Sequence, residues 1–96
     1  MTIVLLPWAA DDVSRAARWY DRQRPGLGAE FGEELDRLLD VIAREPLRFP
    51  AVHRETRRAL LRRFPYALFF QVRRDVVLVV AVLHASRNPK RWRDRA

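Results

Sequence analysis

The stretch Tyr66-Ala67-Leu68-Phe69-Phe70-Gln71-Val72-Arg73-Arg74-Asp75-Val76-Val77-Leu78-Val79-Val80-Ala81-Val82-Leu83 decides the fold. It holds two runs of branched and aromatic residues with no glycine, parted by the polar reversal Arg73-Arg74-Asp75. Such runs read as strands, and a reversal this tight makes them an antiparallel hairpin. Alternation puts Tyr66, Leu68, Phe70 and Val72 on one face. Val76 to Leu83 is apolar at every position, which predicts a central strand buried on both faces.

Upstream, Arg57 to Phe64 reads as a third strand. Its charged ends suit an edge position, with Ala51 to Thr56 leading into it and the two prolines of Glu45 to Pro50 marking a surface connection. Further upstream the period changes. Leu27, Phe31, Leu35, Leu38 and Ile42 form one apolar stripe of a helix from about Leu27 to Arg44, with Glu30, Glu33, Glu34, Arg37 and Asp40 on its wet side. Arg24-Pro25-Gly26 separates it from a first helix, Ala9 to about Arg22, built on Ala9, Val13, Ala16, Ala17 and Tyr20. Asp11 and Asp12 are read into the first turn of that helix, where the macrodipole favours acids, and Asp12 onto a face away from the apolar stripe. The joint is too short to hold a strand, so the helices form a hairpin whose apolar side needs a sheet to cover it. Thr2 to Leu6, closed by Pro7, reads as a first strand covered on both faces. The expected order is strand, helical hairpin, three strands and a basic tail from His84 to Ala96. Phe31, Leu35, Leu38, Phe70, Leu78 and Val80 are the expected core.

The 96 residues fit a single domain over 1-96 and leave no room for a second core. An apolar fraction of 49% excludes global disorder. No apolar run is long enough for a membrane span, and Thr2 to Leu6 is too short for a signal peptide, so a cytoplasmic protein with no membrane association is expected. The absence of cysteine removes disulfides, thiolate metal sites and cysteine nucleophiles. The 19 cations against 12 acids give +7, and all but Lys90 of those cations are arginine. Arginine's planar fork suits phosphate and carboxylate, so the excess points to nucleic acid or an acidic protein. A GC-rich genome would explain the preference for arginine over lysine, but not the net charge.

Catalytic candidates are few. Two histidines without cysteine make no metal site, and no cofactor is expected. Gly26, Gly28 and Gly32 lie at a helix joint and helix start, so they form no phosphate loop after a strand. Glu33 and Glu34 read as a solvated helix face. The remaining candidates are basic: Arg57, Arg58, Arg62 and Arg63, then His84, Arg87, Lys90, Arg91, Arg93 and Arg95. Alternation divides the four strand arginines between two faces, so only a subset can act together. His84 stands where the buried strand emerges and would serve as acid or base toward a 2'-hydroxyl, or simply cap the strand end. Trp92 would stack on a base, anchor a partner, or pack the tail onto the globule.

The order of motifs resembles the RelE/ParE toxin superfamily. The match runs through Ala17-x-Trp19-Tyr20, Pro25-Gly26-Leu27-Gly28-x-x-Phe31 and Ile42-x-x-x-Pro46-x-x-Phe49-Pro50. It continues through Arg57-Arg58-x-Leu60-Leu61-Arg62-Arg63-Phe64-Pro65-Tyr66 and Val82-x-His84-x-x-Arg87-Asn88-Pro89-x-x-Trp92. The resemblance implies an α+β fold: a strand, a helical hairpin and a three-stranded antiparallel unit in one four-stranded sheet. It also implies the toxin half of a type II toxin-antitoxin pair. The partner is a small antitoxin with an acidic tail and a DNA-binding N-terminal part, forming a hetero-oligomer with the toxin. The long hairpin and the Pro25-Gly26-Leu27-Gly28 joint look like the ParE, or plasmid stabilisation, members, which poison DNA gyrase and lack a clear nuclease site. The alternative is a RelE-like ribosome-dependent mRNA endonuclease, with His84, Arg63 and Arg87 as its acid-base and phosphate-clamping set. Against it, the tail has a single lysine and no tyrosine. A member of the fold with lost activity ranks third. Arg58, Arg62, Arg87, Arg91 and Trp92 are expected at the target contact, and Trp19, Arg57 and Arg63 at the antitoxin. A plain nucleic-acid-binding module explains the charge but not the order of motifs.

Overall fold

Pro7 needs no hydrogen-bonded N–H at the first helical position, so it ends the first strand and starts a helix at once. The computed structural model describes residues 1–86 and 90–95, with only the backbone of Lys90 and Arg91. In it β1 (Thr2–Leu5) leads into α1 (Pro7–Gln23) and α2 (Leu27–Arg44). A short 3-10 turn, Pro46–Arg48, precedes β2 (Ala51–His53), β3 (Thr56–Leu60), β4 (Tyr66–Arg73), β5 (Val76–His84) and α3 (Lys90–Arg93). The sheet order is β1-β5-β4-β3-β2. β1 runs parallel to β5 and all other neighbours are antiparallel.

The α+β class and the helical hairpin agree with the sequence, and three features of the sheet do not. It has five strands rather than four, because Ala51–His53 pairs with β3. Three residues are too few to show alternation, and they are held by a tight turn in which Arg54 adopts φ 52. β2 therefore takes the edge expected for Arg57–Phe64, and β3 itself stops at Leu60. β1 is the other edge, so it is not covered on both faces; Val4 is 40% exposed. β5, by contrast, lies between β1 and β4 and buries most of its length.

At the joint Gly26, the residue before α2, adopts φ 90, a left-handed conformation that glycine takes without strain. Two residues on, a Cβ at Gly28 would stand 2.4 Å from the Ala17 carbonyl oxygen. Glycine is required there because the two helix backbones touch. The Gly28 N–H donates to the Asp21 carboxylate at 2.8 Å, which fixes the crossing.

The hairpin and one sheet face enclose the main core of Phe31, Leu35, Ile42, Leu68, Phe70, Val77, Val79 and Val82. Trp92 covers a second cluster on the opposite face, with Ala67, Phe69, Val80, Ala81 and Leu83. The expected core residues Phe31, Leu35, Phe70 and Val80 are buried, whereas Leu38 and Leu78 are only partly so. A bulge explains why the second cluster can form. Phe69 pairs with Ala81 but Phe70 pairs with Val79, leaving Val80 without a cross-strand partner. The extra residue turns both Val80 and Ala81 toward Trp92.

Candidate functional site

β1 ends at Leu5, where the Leu6 N–H donates to the Val79 carbonyl. Past that point, among the described residues, β5 has no strand on its outer side. The outermost donor there, the Val82 N–H, is taken at 3.0 Å by the Asp12 carboxylate of α1. The sequence alone makes Asp12 a first-turn acid pointing to water. It is instead 4% exposed, one turn further along α1, and its second oxygen and the first also receive the Arg95 guanidinium. Arg15 adds a contact at 3.3 Å from the surface. A buried carboxylate with this many donors is fully satisfied, and it ties the tail, α1 and β5 together.

Beside this carboxylate a groove of about 820 Å³ opens between α1 and the end of β5, lined by Arg15, Arg18, Trp19, Arg22, Tyr66 and His84 among others. Trp19 is 48% exposed at its rim. Tyr20 and Tyr66 line the groove, and with the buried Phe31 and Phe64 behind them they form an aromatic cluster with ring centroids 4.8 to 6.0 Å apart. Burial first, and the neighbouring Tyr66 second, push the Tyr20 phenol above its ordinary value. The His84 ring packs on the edge of Tyr66 at 5.6 Å. The Ser86 backbone N–H donates to His84 Nδ1 at 3.2 Å, so in the neutral ring the proton sits on Nε2.

The other sheet face carries a smaller pocket of about 200 Å³, lined by Arg58, Phe69, Leu83, His84, Trp92 and Arg93 with their neighbours. Trp92, expected at the target contact, stacks on Phe69 at 4.5 Å and is 7% exposed, so its ring is occupied by the protein's own core.

The four arginines of the Arg57–Arg63 stretch separate. Arg57 shares the helix-side face with its partner Phe70 and donates to the Phe49 carbonyl at 2.6 Å. Arg58 pairs with Phe69 on the opposite face. Arg62 and Arg63 lie past the end of β3 in a loop held by Glu34, which accepts both their backbone N–H groups. Arg63 then pairs with Glu30 at 2.8 Å, and Arg24 meets the same carboxylate at 3.1 Å. The Arg63 hydrogen bond, partly opposed by desolvation and helped by Arg24, holds the Glu30 carboxyl below its ordinary value. Glu30 and Glu34, expected on a wet helix face, are thus the anchors of this loop. Arg87 lies outside the described residues, as does the side chain of Arg91.

Among the described residues no group of three His, Asp or Glu gathers in a way that would hold a metal. No helix among them is long and apolar enough to cross a membrane. Sequence reasoning misses Asp12, Arg18 and Arg22 as site residues. The only signal for the last two is their helical spacing around Trp19, which is equally that of a solvated face.

The family model described as "ParE toxin of type II toxin-antitoxin system, parDE" matches residues 3–89. The chain belongs to the ParE toxin family. No curated protein sequence matches this ParE family member. Among solved structures it is similar to a chain of the chromosomal ParDE TA system from P. aeruginosa, with a TM-score of 0.78 at 15% identity. That alignment covers 88% of this chain and 95% of the other, and at such low identity it speaks for the shared ParE fold alone.

Proposed function

We propose that this ParE family toxin acts by protein contact, poisoning DNA gyrase, and that a cognate antitoxin with an acidic segment silences it. The observation that carries this reading is the position of Arg63. The nuclease reading needs it beside His84, yet its guanidinium is paired with Glu30 of α2 at 2.8 Å. The set of His84, Arg63 and Arg87 that the nuclease reading needs thus has Arg63 engaged by α2, and one histidine does not easily fill both the base and the acid role in RNA cleavage. Arginine is a poor proton donor, since its guanidinium stays protonated throughout the accessible pH range. The remaining cations suit docking to an acidic protein surface better than proton transfer.

Purified toxin is expected to inhibit gyrase supercoiling, or trap cleaved DNA, while leaving ribosome-bound mRNA intact. Codon-specific mRNA cuts that disappear in His84→Gln would overturn this reading. One observation favours that second reading: His84, Arg58 and Arg93 line a single pocket, as a phosphate-clamping set would.

The antitoxin reading draws support from the net charge of +7 and from family membership in a two-component system. Co-expression with a neighbouring small acidic partner is expected to restore growth and give a stable complex.

A further inference from the structure

Hydrogen bonds fix the short loop between β3 and β4 along its whole length. The Leu61 N–H donates to the Tyr66 carbonyl at 3.0 Å, and the Tyr66 N–H to the Phe64 carbonyl at 2.8 Å. The Pro65 carbonyl accepts from the Ala85 N–H at 2.7 Å, and Glu34 accepts from the backbones of Arg62 and Arg63. Phe64, only 4% exposed, pins the loop against Tyr20 and Phe31. A loop held in this way loses little further freedom on binding, so contacts made by its surface are not offset by the cost of ordering it.

That surface is an apolar depression flanked by cations. It measures about 370 Å³ and is lined by Leu60, Pro65, Tyr66 and Ala85 beside Arg62 and Arg63. Leu60 is 55% exposed there. Alternation along β3 puts Arg58 on the same face as Leu60, and their cross-strand partners Phe69 and Ala67 belong to the second core, on the sheet face away from the helical hairpin. Glu34 takes the Arg62 backbone and leaves its guanidinium free: among the described residues neither Arg58 nor Arg62 has a carboxylate partner. Leu47 makes the contrast. It is 70% exposed, but the arginine next to it, Arg48, is already paired with Glu45 at 3.1 Å.

We infer that this rigid loop, with Leu60 between Arg58 and Arg62, is the surface by which the toxin contacts its target. An apolar side chain of gyrase seats in the depression, and carboxylates around it meet the two guanidinium groups. Arg57 and Arg63 take no part, being engaged by the Phe49 carbonyl and by Glu30. Trp19 and Arg57, the residues expected at the antitoxin, lie in the α1 groove and on the helix-side face, so substitutions can separate the two contacts.

The inference rests on the gyrase reading above, and one set of variants keeps their failures apart. Leu60→Asp, Arg62→Glu and the double variant are titrated in a gyrase supercoiling assay, with antitoxin affinity and melting temperature measured beside it. Both side chains are exposed, so melting temperature and antitoxin affinity should hold, while the toxin concentration for half-inhibition rises at least roughly tenfold. Leu60→Met is expected to retain inhibition, and Leu47→Asp to change nothing. Glu34→Ala should speed amide exchange at Arg62 and Arg63 and weaken inhibition with Leu60 and Arg62 both in place. Undiminished inhibition by the double variant, or a loss of antitoxin affinity in place of inhibition, overturns this surface and leaves the gyrase reading intact. Failure of the unaltered toxin to inhibit gyrase overturns both.

Discussion

Asp12 shows how far a single side chain's surroundings can override its sequence context. Its carboxylate caps the Val82 N–H and pairs with Arg95 while only 4% exposed. Removing one partner of a buried ion pair strands the other, which costs about 3–5 kcal/mol. Asp12→Ala is expected to lose stability on that scale in a denaturant melt, and Asp12→Asn less, since the amide oxygen still accepts from Val82. A loss below about 1 kcal/mol for Asp12→Ala would mean that the tail is not held there. Gly28 is a second such residue. A Cβ 2.4 Å from the Ala17 carbonyl oxygen forces the helices apart, so Gly28→Ala should cost about 1–3 kcal/mol. Gly32, with open space around it, should accept alanine without loss.

Glu30 adds a pH dependence. Its carboxyl is held below the ordinary value, first by Arg63, so the folded state binds its proton less readily than the unfolded chain does. The stabilisation is fully present above the ordinary glutamate range and is lost as pH falls through the lowered folded value. Glu30→Gln should flatten that acid limb by lowering stability near neutral pH, while leaving stability below the lowered folded value almost unchanged. An acid limb that survives the substitution would assign it to other carboxylates.

At the scale of elements, α2 is legible to the residue because its apolar stripe, its glycine joint and its proline exit all agree. β2 is invisible because three residues carry no period, and its existence depends on β3 being beside it. The same dependence makes cavities in the α2–β4 contact expensive. Phe31 and Phe70 are both fully buried, and truncation of either to alanine should cost about 3–5 kcal/mol by thermal or chemical melting. Leu60 and Leu47, at 55% and 70% exposed, should tolerate alanine within about 0.5 kcal/mol. Equal losses at both pairs would overturn the assignment of faces.

For the whole molecule, the decisive feature is a second core on the sheet face away from the helices. The tail closes it with Trp92 on Phe69 and Arg95 on Asp12. Truncating the chain after Ser86 removes both contacts and bares Phe69, Val80 and Leu83. The truncated protein is expected to melt earlier and to bind a hydrophobic dye, and Trp92→Ala to do the same to a smaller degree. Loss of toxicity in Trp92→Ala then reflects lost fold, so it should track the melting temperature across variants. Toxicity that falls while the melt is unchanged would support the expected direct target contact of Trp92.

The sequence by itself determined the hairpin, the buried strand Val76 to Leu83 and the family, because period, turn chemistry and motif order are properties of neighbouring residues. It also separated Arg57 from Arg58 by alternation, whereas Arg62 and Arg63, past the end of β3, are placed by Glu34 instead. Only the tertiary structure decided that Asp12 is buried, that Glu30 claims Arg63, that Trp92 is core, and that β5 outlasts β1 to leave an open edge. Each of those depends on which distant groups share a space: a carboxylate reads as solvated until a strand edge and a guanidinium some seventy and eighty residues away arrive beside it. Long-range partners leave no local period, and the bulge at Val80 that re-aims the strand end results from the pairing of β4 and β5 rather than from any residue within it.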